Sequence, residues 1–351
     1  MAATTALSGT KITPTTSRYS LKQIEIFWGL LFILPWLIGL LLFTAGPMLA
    51  SLYLSFTDYN ITNPEGPKWI GGQNYSHILS LEVKTAATAD EADKSLSPGY
   101  SELLRVGNTV VGATDTFFWK SMKVTLLFAL IALPSSMLMA LTLAVLGNLK
   151  LPFQRIFRTL FYMPSVVPAV ATALIFQQIL GRDTGWLNKL LEAFHIQGPG
   201  WLSEENTVLP ALALIGLWGV GNAMVIYLAG LQSVPTELYE AAKVDGANAV
   251  RRFRSITIPM ITPVILYNLV IGLIGTFQYF TIAFVLTNGN GSPNYSAYFY
   301  NMYLYKTAFA FSNMGYASSL AWILMLIVLA ITAGVFFTSG KWVFQPNATR
   351  S

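Results

Sequence analysis

Six side chains that could hold a polar solute stand inside otherwise apolar stretches: Trp218, Asn222, Asn268, Thr276, Gln278 and Tyr279. Amides, hydroxyls and aromatic faces suffice for a neutral, hydroxyl-rich ligand, and polar groups at membrane depth face a cavity or a partner helix. The plainer reading of each is helix–helix hydrogen bonding, worth about 0.6 kcal/mol per bond in a membrane. Ser135, Ser136, Ser165, Gln177 and Gln178 fit a humbler task, satisfying backbone freed by Pro134, Pro164 and Pro168. No ionisable residue lies deep in these stretches, so a proton- or sodium-driven mechanism built on intramembrane carboxylates has no support. Catalytic constellations are equally absent. With no cysteine and only His77 and His195, neither a thiolate site nor a histidine-rich metal centre can be built. "SGTKIT" lacks the G-x-x-x-x-G-K-[ST] phosphate cradle, and neither H-E-x-x-H nor G-x-S-x-G occurs. No catalytic residue, metal site or cofactor is therefore expected on this chain.

The elements that must position these residues are membrane helices. Of 351 residues, 54% are hydrophobic and 11% charged, against about 25% charged in soluble domains. A bilayer crossing needs about 20 apolar residues, and six charge-free windows qualify: Phe27–Ser51, Val124–Gly147, Thr159–Ile179, Val208–Leu231, Pro263–Thr287 and Tyr316–Thr338. The first window is too long for a signal-peptide core, so it reads as a retained helix.

Charge sets the orientation. Lys11, Arg18 and Lys22 precede the first window, Lys150, Arg155 and Arg158 lie between the second and third, and Lys243, Arg251, Arg252 and Arg254 follow the fourth. Lys341 and Arg350 close the chain. The alternate segments carry acids: Asp58, Glu65, Glu82, Asp90, Glu91, Asp93 and Glu102, then Asp183, Glu192, Glu204 and Glu205, with Lys120 and Lys123 as exceptions. The positive-inside rule places both termini in the cytoplasm. The net charge of +5 then records topology rather than nucleic-acid binding. The organisation expected is a tail over 1–25, a first helix over 26–56, an extracytoplasmic loop or small cap over 57–123, a core transmembrane domain over 124–338 and a tail over 339–351. "KTAATADEADKSLSPGYSELLRVG" in the cap has helix-friendly composition.

One polar island interrupts the core domain, "YEAAKVDGANAVRRFRSITIP" from Tyr239 to Pro259. Pro235 suits a first helical turn, and Glu237 and Glu240 sit where a helix N-terminus favours negative charge. Leu238, Ala241 and Ala242 make one small apolar face, and Gly246 is a natural stop. A second short helix follows through Val250, Phe253 and Arg254. Physics leaves two roles open, an interfacial anchor and a docking site for another protein.

The island resembles the EAA loop of permeases from ABC importers: EAA, a short gap, DGA, then F-x-x-I-x-x-P. Glu240, Ala241, Ala242, Asp245, Gly246, Ala247, Phe253, Ile256 and Pro259 match that pattern. "ILPWLIGLLLFTAGPMLASLYLSFTDYN", "FYMPSVVPAVATALIF" and "YKTAFAFSNMGYASSLAW" resemble the first, third and last spans of the carbohydrate-importer permeases. Two features depart from that pattern. "TNGNGSP" displaces the proline of T-x-G-G-P to Pro293, and the insertion around Val83–Gly112 is longer than in many relatives.

The resemblance implies an all-α membrane protein of six transmembrane helices, with a cytoplasmic EAA coupling helix at 235–259 between helices four and five. Glu240, Ala241, Ala242, Asp245, Gly246, Ala247 and Phe253 would couple it to an ATPase. It also implies substrate contacts in spans four and five, near Gln278 and Tyr279 in particular. The partners implied are a second homologous permease, two copies of a cytoplasmic ATPase that binds ATP and Mg, and an extracytoplasmic solute-binding protein, all at a bacterial or archaeal inner membrane. The expected solute is a sugar. The alternatives are another polar solute such as glycerol phosphate or a polyol, or an ATP-independent secondary carrier.

Overall fold

A computed structural model describes residues 21–85, 96–149 and 152–344. Lys11, Arg18, Asp90, Glu91, Asp93, Lys150 and Arg350 lie outside the described residues, as do most of both tails. The chain divides into two units, Met1–Tyr53 and Leu54–Ser351.

The first unit holds α1 (Leu21–Leu40), which continues through a π turn at Leu41–Ala45 into α2 (Gly46–Ser55). The Gly46 N–H reaches back to the Leu41 carbonyl, and Pro47, next in line, has no N–H to give. The wider turn therefore falls where the proline withholds its donor. The apolar stretch Glu25–Ser55 contains the expected first window.

In the second unit, α3 (Gln73–Leu79) leads into a three-stranded antiparallel sheet of β1 (Leu81–Thr85), β2 (Ser101–Val106) and β3 (Thr109–Ala113), in the order β1-β3-β2. This corrects the expectation of an all-helical chain. The reason lies in the pattern of "TVVGA", whose β-branched residues alternate between buried and half-buried and suit a pleated surface. Gly107, at φ 59°, lets β2 and β3 join through only two residues.

Asp115 caps α4 (Thr116–Asn148), its Oδ1 accepting from Phe118 N at 2.8 Å. Near Pro134, Ser135 Oγ donates to the carbonyls of Ile131 at 2.7 Å and Ala132 at 3.1 Å, and Ser136 Oγ to that of Leu133 at 3.0 Å. These serines bond helix carbonyls one turn back, though not the Leu130 carbonyl that Pro134 leaves without its donor.

The third window is not a straight helix. α5 (Gln154–Tyr162) passes through a short 3-10 turn, and α6 (Ala169–Ile179) leaves at 100° to it. Pro168 has ψ 142°, Val167 before it is extended as residues before proline prefer, and the helix must restart. The fourth window is also bent, by 55° between α7 (Glu205–Trp218) and α8 (Gly221–Gln232). Gly221 is required there, because a Cβ would meet Phe161 O and Tyr162 Cα at 2.9 Å. α9 (Thr262–Phe277) and α10 (Thr281–Leu286) form the fifth apolar stretch, and α11 (Met314–Ser339) the last, capped by Asn313. Among the described residues, four helices are long and apolar enough to cross a membrane, or six if each bent pair is one span.

Two large apolar cores and a small one at Leu96 and Val110 hold this unit among the described residues. One large core gathers Phe118, Phe128, Leu212, Ile215, Phe299, Tyr300 and Leu320. The other joins Ala140 and Ala144 of α4 to Met224, Tyr227 and Leu231 of α8. The two alanines, one helical turn apart and fully buried, let α4 and α8 approach closely, as small residues do between membrane helices.

Candidate solute cavity and coupling loop

Between α4, α7, α8 and α9 lies a cavity of about 390 Å³, within the range of roughly 300–1,000 Å³ usual for small-molecule sites. Four of the six expected residues line it: Asn222, Asn268, Thr276 and Tyr279. They meet there because Asn222 opens α8 just after the bend, while Asn268 and Thr276 lie on one face of α9. No Asp, Glu, Lys, Arg or His is on the wall.

The four differ in what they offer. Asn268 is buried and donates to Val264 O at 3.0 Å, and Thr276 donates to Leu273 O at 2.9 Å. Both satisfy helix backbone yet keep acceptor capacity. Asn222 is exposed. The Tyr279 hydroxyl is buried without a hydrogen-bond partner, although its ring is fixed against Phe128 and Phe299 at 4.4 and 5.0 Å between centroids. A buried polar atom left unmade costs about 1–3 kcal/mol, so its place on a cavity wall singles it out.

The other two stand apart. Trp218 lines a neighbouring, mostly apolar cavity with Leu160, Met163 and Pro164, and packs edge-on against Phe176. Gln278 caps the end of α9 and is exposed away from the cavity wall.

The island forms two short helices, Thr236–Val244 and Ala249–Arg252, followed by a π turn at Phe253–Thr257. Pro235 is the N-cap rather than the first helical residue. Ala247 N bonds to Ala242 O at 2.8 Å and Gly246 N to Lys243 O at 3.0 Å. That paired pattern closes a helix around a left-handed residue, and Gly246 has φ 76°. Asn248 Oδ1 then accepts from Arg251 N at 2.8 Å, and Tyr239 OH lies 2.9 Å from Thr257 Oγ1, tying the two arms. Glu240, Ala241, Asp245 and Phe253 are exposed, Ala242 and Ala247 half-buried.

Two valines of this loop, Val244 and the already placed Val250, carry no sequence signal for their exposure. Val244 is 89% exposed and Val250 74%, so two bare apolar side chains flank Gly246 at its tip. The sequence reading passed over the grouping of Asp115, Tyr303, Tyr316 and His77, which converge from four distant segments. Sequence spacing carries no signal for such a convergence.

Residues 132–339 match the family described as binding-protein-dependent transport system inner membrane component. The chain belongs to that family. The permease is 38% identical to the probable ABC transporter permease protein YesP of Bacillus subtilis over 90% of its own length and 91% of that protein's. It is 31% identical to the lactose transport system permease protein LacF of Rhizobium radiobacter, over 93% and 98% of the two chains. A chain of the bacterial alginate ABC transporter, crystallised with an alginate pentasaccharide-bound periplasmic protein, matches its fold with a TM-score of 0.67 at 20% identity, over 91% of the permease and 96% of that chain.

Proposed function

We propose that this permease passes a sugar across the inner membrane, in an importer driven by ATP hydrolysis on a partner chain. The observation that carries the reading is the uncharged cavity walled by Asn222, Asn268, Thr276 and Tyr279, the last with a hydroxyl that has no hydrogen-bond partner. A saccharide hydroxyl would complete that bond. Asn222, Asn268 and Thr276 on the same wall supply further donors and acceptors, and the sugars named for relatives support the class. Glycerol phosphate fits less well, since a phosphate wants a cationic wall and this one has none. Trp218 and Gln278 remain pathway candidates only through rearrangement or a second permease.

In this account each bent pair is one of six spans, and both termini and the island are cytoplasmic. The exposed tip at Val244, Gly246 and Val250 seats on an ATPase, which binds ATP and Mg. Glu240, Ala241, Ala242, Asp245, Ala247 and Phe253 frame the seat. A second permease completes the pathway, two ATPase copies power it, and a solute-binding protein delivers the sugar.

Tyr279→Phe tests the cavity cleanly. Removing an unpartnered hydroxyl leaves thermal stability equal or higher, whereas losing its bond to sugar lowers uptake by about tenfold, the size of one hydrogen bond. The measurement is initial uptake of labelled lactose and maltotetraose by the reconstituted transporter. Undiminished uptake of a transported sugar returns Tyr279 to helix packing.

A further inference from the structure

A second cavity, of about 640 Å³, lies in the same unit between α3, the start of α4, the Tyr303–Phe311 segment and the cap of α11. The nearly buried side chain of Asp115 forms part of its wall. Oδ2 accepts from Tyr303 OH at 2.6 Å and from Tyr316 OH at 2.5 Å, while Oδ1 holds the Phe118 N–H. Three donors thus occupy the carboxylate, and proton bookkeeping fixes the rest. Tyr316 has spent its one proton on Asp115, so the contact of 3.1 Å with His77 Nδ1 must run from an Nδ1–H to the phenol oxygen. A neutral His77 is then left with a bare Nε2 acceptor. Gln73 adds an exposed amide on the wall, and Phe311 an aromatic ring that is 64% exposed.

The wall's chemistry selects its ligand. No Lys or Arg lines it, so an anion would meet the Asp115 carboxylate with no ammonium or guanidinium to offset it. A metal ion is no better served, because three donors already engage that carboxylate and no three metal-ligating side chains cluster among the described residues. What remains is a ligand rich in hydroxyl donors with C–H faces for the phenylalanine ring. We propose that this cavity is a second saccharide subsite, separate from the one at Tyr279, which takes a neutral sugar unit at the entrance end of the chain. The inference rests on the sugar-importer reading above.

The test uses the assembled transporter in liposomes, with lactose and maltotetraose carrying a photoreactive diazirine as probes. After irradiation, the cross-linked peptides are mapped by mass spectrometry, with unlabelled uptake measured in parallel. The expected result is label on peptides containing Gln73–His77 and Phe311–Tyr316. Gln73→Ala combined with Phe311→Ala, both exposed positions with little effect on folding, lowers that label by about tenfold. Label confined to peptides containing Asn222 and Tyr279, with normal uptake, overturns the second subsite and leaves the importer standing. So does a double variant that weakens docking of the solute-binding protein while labelling is unchanged, which would make the cavity a protein contact. Transport of neither sugar removes the importer reading, and this inference with it.

Discussion

Gly246 and Glu82 show how one residue's local geometry becomes a measurable property. Gly246 holds φ 76°, yet among the described residues, its two chain neighbours aside, no atom lies within 4 Å of where its Cβ would sit. Any side chain there meets backbone strain of about 1–2 kcal/mol, and further obstruction only from a partner. Gly246→Val is expected to insert and pair with its sister permease yet recover less ATPase in a pull-down and lose coupled uptake. Gly246→Asn tolerates the left-handed turn, so it separates strain from blocked approach: ATPase recovery at the level of the native chain would mean the turn alone matters. Glu240→Ala acts in the same direction, more weakly. Glu82 sits in the sheet, where Ser97 N and Oγ donate to it at 2.8 and 2.7 Å and Lys84 Nζ lies 3.0 Å away. The Ser97 backbone bond first, then its hydroxyl, lower the carboxyl from its ordinary 4.5 to about 2. A depressed carboxyl stabilises the fold above its unfolded value, so this tie is complete above about pH 4.5 and is lost as pH falls towards about 2. Ser97→Ala removes one donor and should move the Glu82 titration upward, read from the NMR shift of its labelled carboxyl carbon. An unmoved titration would detach Ser97 from the effect. Of these residues, Gly246 was legible in sequence because a glycine ending a polar helix has few other uses. Tyr279 was legible as a polar group in oil. Gln278 was not separable from it, because the two adjoin in sequence where α9 ends, and only the fold shows which of them meets the cavity.

Elements were legible wherever charge alone decides. Every expected window overlaps an apolar helix or bent pair, because a charge at a helix centre costs about 2.5–3.5 kcal/mol and its absence is hard to mimic. The breaks were harder to see. Pro164 and Pro168 announced disturbed backbone, but the 100° turn between α5 and α6 depends on which side chains have somewhere to pack. The amphipathic α5, with Arg155 and Arg158 beside the exposed Ile156, Phe157 and Leu160, has only its apolar last turn inside the expected window, so its first half read as a turn between spans. The sheet was missed for a different reason. Its strands are five or six residues long, and pairing between Leu81–Thr85 and Thr109–Ala113 is a long-range contact that composition does not report. Orientation remains a matter for labelling. Asn108→Cys, at the exposed tip of the β2–β3 hairpin, should react with an impermeant maleimide in intact cells, and Val244→Cys only after lysis. The reverse pattern would invert the topology and remove the island from the ATPase side.

For the whole molecule, the account joins an uncharged cavity lined by α4, α8 and α9 to an exposed loop that follows α8. The two are neighbours in the chain, since Gln232 ends α8 and Thr236 begins the island. Movement of the loop therefore has a short path to Asn222 at the other end of the same helix. The energy source proposed for this movement is ATP hydrolysis on a partner chain seated at the loop. Substrate class was legible through the resemblance to carbohydrate-importer permeases and through the absence of charge at membrane depth, and the identity of the sugar lies in contacts that the sequence pattern does not encode. The most direct test is uptake by liposomes holding this permease, its sister subunit, its ATPase and its binding protein, with labelled lactose or maltotetraose outside. The account predicts accumulation when ATP and magnesium reach the ATPase and none when ATP is withheld. Equal accumulation without ATP would make the chain a secondary carrier and contradict it.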